Sequence, residues 1–127
     1  MLVIESWVIN DGGTVPVSSE VVLETLRARV DRSELETWLS SSSGRSLGFV
    51  TNTVRAMVML LEAEGDAGEH AVKPGAVGSS KGFVLSNGQH DEYPDEDTVP
   101  IGEAFRLVEH IVSTGSWPAD ACWVVDR

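Results

Sequence analysis

Hydrophobic residues follow two rhythms along this chain. From Val22 to Val30, and again from Ile101 to Val112, they recur every three or four residues; elsewhere they gather in short runs bounded by turn residues. The first helical stretch follows Pro16-Val17-Ser18-Ser19, where Ser18 or Ser19 can cap the free N–H groups of a first turn. It places Val22, Leu23, Leu26 and Val30 on one face through about Asp31, with Glu24, Arg27 and Arg29 on the wet side. The second stretch opens near Thr98-Val99-Pro100, lines up Ile101, Ala104, Phe105, Val108, Ile111 and Val112, and closes at Gly115.

The short runs read as strands. Residues 2–9 are β-branched and aromatic and end at Asn10-Asp11-Gly12-Gly13; residues 37–39, 47–50 and 54–61 follow, separated by hairpin-length connections at 40–45 and 51–53. The run 54–61 is almost continuously apolar, as a strand at the centre of a sheet or covered on both faces must be. Residues 62–68 form a turn, 70–72 and 122–125 two more short strands, and 73–82 a Gly/Ser loop beginning at Pro74-Gly75. The order strand, helix, several hairpin strands, helix, strand predicts one α+β domain over 1–127, an antiparallel β-sheet with two helices packed on it. At 127 residues the chain is too short for two independent cores.

Composition changes this picture in one respect, the charge. Twenty Asp and Glu against nine Lys and Arg leave −11, which repels nucleic acid and anionic membranes alike and favours a basic protein partner. With 42% hydrophobic residues the chain is otherwise ordinary for a globular protein. Cys122 is alone, so neither a disulfide nor a cysteine-based zinc cluster can form within the chain. No leader-like or membrane-spanning apolar run occurs, and a cytoplasmic location is expected.

The most distinctive stretch is 82–100. Phe83-Val84-Leu85 reads as a short buried strand, Asn87-Gly88 as a tight turn with positive φ at both residues, and Asp91, Glu92, Asp95, Glu96 and Asp97 as a dense carboxylate loop around Tyr93. A tyrosine among acids and beside a proline has the composition of an interface anchor. Trp117, in the break before Pro118, is the tryptophan most expected to be exposed; Trp7, Trp38 and Trp123 are expected to pack. These residues, Asp91 to Tyr93, Asp95 to Asp97 and Trp117, are the candidate partner-binding set.

Catalytic patterns stop short of completion. His90-Asp91-Glu92 matches the His-x-Glu half of a zinc deaminase, but the Pro-Cys-x-x-Cys half is missing. His70, His90 and His110 are too far apart in sequence for a helical metal pair, and Asp91 to Asp97 lack the pattern of a calcium loop. Gly78-Ser79-Ser80-Lys81-Gly82 has the wrong spacing for a phosphate loop, and no Gly-x-Ser-x-Gly elbow occurs. The reading is therefore a binding protein without metal or cofactor. Two alternatives stand beside it: a small hydrolase or transferase using His90 with Asp91 or Glu92, and a structural binding module.

At 86–94, Ser-Asn-Gly-Gln-His-Asp-Glu-Tyr-Pro, then Thr98-Val99-Pro100, the helix to Thr114-Gly115, Pro118 and Trp123, the chain resembles the Imm family one immunity proteins of bacterial polymorphic toxin systems. The resemblance runs from about Leu47 to Arg127, with one departure: Asn52-Thr53 stands where Asn-Gly is more typical. It implies a small, non-enzymatic α+β protein that blocks the active site of a cognate toxin, commonly a nucleic-acid deaminase. An acidic surface around Asp91 to Asp97 could then occupy the toxin's basic cleft.

Overall fold

The computed structural model describes residues 5–127. Residues 2–4 of the first expected strand lie outside that range, and the observed strand β1 is Trp7–Ile9. Helix α1 (Ser19–Asp31) starts where the sequence puts it, because the Ser18 hydroxyl accepts the Val21 N–H. Strands β2 (Glu36–Ser41), β3 (Ser46–Thr51), β4 (Arg55–Leu61) and β5 (Glu69–Ala71) follow, then β6 (Ser79–Val84) and β7 (His90–Pro94), one 3-10 turn (Asp95–Asp97) and β8 (Val99–Pro100). Helix α2 (Ile101–Thr114) ends at Gly115, whose φ of 81° lets its N–H turn back to the Ile111 carbonyl. Strand β9 (Trp123–Val125) completes the order.

The fold is α+β. Among the described residues, seven strands form one antiparallel sheet in the order β1-β2-β3-β4-β5-β9, with β8 pairing one end of β4, and α1 and α2 pack on one face. Strand alternation sends Trp7, Leu39, Leu47, Phe49, Val58 and Leu60 toward the helices, where they meet Val22 and Leu26 of α1 and Ala104, Val108 and Ile111 of α2. Each such side chain contributes about 1.5–3 kcal/mol through removal from water. Leu107 belongs to this core as well, a position the sequence reading passed over. Phe105 stacks on Phe49 with ring centres 5.5 Å apart, and the Arg27 guanidinium lies over the Phe105 ring at 5.0 Å from its centre.

The second face of the sheet explains why β4 is apolar at consecutive positions. Ala56, Val58 and Leu60 point into the helical core, whereas Met57 and Met59 point the other way and are half-buried. Over that second face lies a separate two-stranded sheet, the β6–β7 hairpin. Tyr93 of β7 shares a cavity with Met57 and Met59, and Ser86 in the hairpin turn bonds to Glu36 of β2.

Two expectations for this region are corrected. The Gly/Ser loop ends earlier than expected: residues 79–82 continue β6, because Ser79 and Ser80 pair with Pro94 and Tyr93. The acidic segment is regular structure rather than loop, its first half in β7 and its second in the 3-10 turn. A third correction concerns Arg29, placed on the wet face of α1. Its guanidinium instead reaches β2, donating to Thr37 Oγ1 at 2.8 Å and the Glu36 carbonyl at 3.1 Å.

Candidate functional site

The hairpin that carries the candidate residues is closed by a three-residue loop. Leu85 N–H bonds to the Gln89 carbonyl and Gly88 N–H to the Leu85 carbonyl, so Gly88 alone takes a positive φ, 87°. Asn87 stays in the ordinary region, contrary to the two-residue turn expected, and its side chain accepts the Gln89 N–H at 2.9 Å.

Alternation along β7 then divides the residues between two faces. His90, Glu92 and Pro94 are exposed, while Asp91 and Tyr93 are half-buried on the side facing the sheet. Phe83 is fully buried beneath the hairpin, and the Tyr93 ring meets it edge-on at 4.8 Å. The Tyr93 hydroxyl donates to Asp91 Oδ2 at 2.6 Å, and the Gln89 amide donates to the other carboxylate oxygen at 2.7 Å. The tyrosine bond, then the Gln89 bond, hold the Asp91 carboxyl below its ordinary range. Burial and the adjacent anion push the Tyr93 phenol up to about 12.

Three side chains of the main sheet fix this unit from outside. Glu36 accepts the Ser86 N–H and hydroxyl, each at 2.9 Å, while its other oxygen accepts Trp38 Nε1 at 3.0 Å. The Ser86 backbone bond is the main reason the Glu36 carboxyl lies below its ordinary value. At the other end, Arg55 of β4 donates to Thr98 Oγ1 at 2.6 Å and to the carbonyls of Asp95 and Thr98 at 3.0 Å each. The Asp95 carboxylate lies 3.7 Å from the same guanidinium and accepts from Ser80.

His70 of β5 is the third anchor. Its Nε2 lies 3.0 Å from Asp97 Oδ1 and its Nδ1 2.7 Å from Asp126 Oδ2. A neutral imidazole has one N–H, so donation to both carboxylates requires the imidazolium. Burial alone would push this imidazole down, but the bonds to Asp126 and Asp97 outweigh it and hold the ring above its ordinary value.

Of the five carboxylates, Asp91, Asp95 and Asp97 are therefore occupied in holding the structure and are half-buried. Glu92 and Glu96 are exposed, Glu92 accepting from Ser79. Trp117 departs from expectation: it is 8% exposed and donates Nε1 to Glu69 at 2.9 Å. The exposed indole is Trp123, stacked on Trp117 at 5.9 Å and 42% accessible. Gly115, not Pro118, ends α2, and Trp117 in the break beyond it turns inward, where Glu69 of β5 accepts its N–H.

The His90-Asp91-Glu92 triplet is split by the strand, with His90 and Glu92 on one side and Asp91 on the other. Lys81, Gly82 and these three residues border a shallow depression of about 280 Å³. Among the described residues, no group of three His, Cys, Asp or Glu side chains could hold a metal ion, and no helix is long and apolar enough to cross a membrane.

The tethering roles of Glu36 and His70 were not legible in the sequence, where His70 figures only as an isolated histidine, because their partners are distant in the chain. Arg55 carried a faint signal, as the one basic residue in an otherwise apolar run. No family model matches the chain, and no curated protein is significantly similar to it.

Proposed function

We propose that this protein is an immunity protein that neutralises a bacterial toxin acting on nucleic acid, by setting an anionic surface into the toxin's basic cleft. The supporting observation is the way Asp91 to Asp97 are held: Glu36, Arg55 and His70 tie the hairpin and the 3-10 turn to the sheet at three separate places. Preorganisation of this kind limits the entropy lost on binding. The net charge of −11 steers the protein toward a cationic groove, and Glu92 and Glu96 face solvent as the leading contacts. The resemblance of residues 86–94 and the following helix to the Imm family one proteins supports the same role. Tyr93, expected at the centre of the contact, lies instead on the sheet-facing side of β7, where its ring rests on Phe83 and supports the strand that carries Glu92.

Co-expression with the product of the neighbouring gene, scored for growth rescue and co-purification, tests the role. The mechanism is tested by the double variant E92K/E96K, which leaves all three anchors in place. Its association with the toxin at low salt is expected to slow by about tenfold or more and to lose salt dependence, since steering charges act on the on-rate. The matched control E20K/E24K, on α1, should associate like the parent. Equal rates for both variants would remove the β7 surface from the contact.

A further inference from the structure

The outer side of β9 is an unfilled backbone ladder. Toward β5, the Val72 N–H bonds to the Cys122 carbonyl at 3.0 Å and the Asp126 N–H to the Gly68 carbonyl at 2.8 Å, bracketing the pair His70 and Val124. Antiparallel alternation then turns the N–H and C=O groups of Trp123 and Val125 away from β5, and no strand among the described residues pairs with them. All three side chains of β9 are exposed, Trp123 at 42%, Val124 at 43% and Val125 at 54%. Edge strands in monomers are ordinarily blunted by shortness, a charge, a proline or a bulge; β9 is short, at three residues, but has none of the other three within it. Beside it, on the side of the Trp117–Trp123 stack, lies a groove of about 280 Å³ bordered by Leu60, Glu62 and Glu69.

Charge selects the occupant. The basic groups near the edge are already engaged, Arg127 with Asp66 and Glu69, and Arg45 with Glu5 and Glu62. The carboxylates of these pairs, Glu5, Glu62, Asp66, Glu69 and Asp126, outnumber their cations, Arg45, Arg127 and the His70 imidazolium, so the region beside the open ladder keeps a net negative charge. A second copy of this chain would bring the same acids and another −11, so edge-to-edge self-pairing sets like charges together.

We propose that the β9 edge receives one extended strand from another protein, in which lysine or arginine alternates with apolar residues. The added strand completes the hydrogen bonds of Trp123 and Val125, and its apolar side chains cover the exposed indole and the groove. This site is separate from the β7 surface and stands whether or not the partner there is a toxin.

The test uses the full chain, isotope-labelled, titrated with a short acetylated and amidated peptide alternating lysine and valine. Amide exchange at Trp123 and Val125 is expected to slow by about tenfold or more as strand hydrogen bonds form. A peptide alternating glutamate and valine should leave it unchanged. In V125P the outward N–H is gone while no internal bond is lost, so folding persists, read by an unchanged unfolding midpoint, and peptide affinity is expected to fall by about tenfold or more. Unprotected amides at Trp123 and Val125 in the parent at saturating peptide, or undiminished binding to V125P, would overturn the proposal. So would equal binding of the acidic peptide, or a concentration-dependent dimer abolished by V125P, which would make a second copy the occupant.

Discussion

Gly48 lies opposite Trp38 across the β2–β3 ladder, and the indole rests on its bare backbone. A Cβ built there would stand 2.7 Å from the Trp38 ring, well inside contact distance. The ring has little freedom to yield, because its Nε1 is bonded to Glu36 and Glu36 in turn holds Ser86. Gly48→Ala is therefore expected to cost about 1–3 kcal/mol in denaturant unfolding. Because the displaced ring would disturb Glu36, faster amide exchange of Ser86 should accompany the loss. An Ala variant as stable as the parent would show that the indole is not fixed in this way.

At the scale of elements, the β3–β4 hairpin joins a favourable residue to an unfavourable one. Asn52 Oδ1 accepts the Val54 and Arg55 N–H groups at 3.0 and 2.7 Å, closing the turn from within. Thr53 beside it has φ of 78°, a region where a β-branched side chain crowds its own backbone. Thr53 is exposed, and its N–H bond to Thr51 Oγ1 does not depend on its side chain. Thr53→Gly should thus stabilise the protein by up to about 1 kcal/mol, read from the denaturant midpoint. An unchanged or lower midpoint would mean that glycine's greater freedom in the unfolded chain offsets the relief.

Elements of this kind were largely legible beforehand, and the reasons are local. Ser18 announces α1 by its capping hydroxyl, Gly115 closes α2, and the run 54–61 declares a strand covered on both sides. Less legible were features set by distant partners. Ser79 and Ser80 look like linker residues until Tyr93 and Pro94 pair with them, and Trp117 looks exposed until Glu69 offers it an acceptor. The acidic residues of the candidate surface were visible as composition. Which of them face outward depended on the phase of β7, which composition does not carry.

At the scale of the whole molecule, His70 joins three parts of the chain: β5, the 3-10 turn through Asp97, and the tail beyond β9 through Asp126. Its ring is held above the ordinary value of 6.5 in the folded state, so its contribution to stability is complete below about that pH. That contribution is lost as pH rises through the folded value. The difference in melting temperature between the parent and H70Q, which cannot form a cation, should accordingly shrink from about pH 6 to about pH 9. A difference constant over that interval would mean that the imidazole acts there only as a neutral hydrogen-bonding group.

The three tethers of the β6–β7 hairpin and the 3-10 turn after it bind their arrangement to that of the sheet. They come from β2, β4 and β5, strands that stand in fixed relation to one another in the assembled central sheet. A chain still emerging from synthesis, or one with the sheet partly open, would carry the same carboxylates in no fixed arrangement. If β7 does engage a partner, its competence to do so would depend on the integrity of the whole sheet.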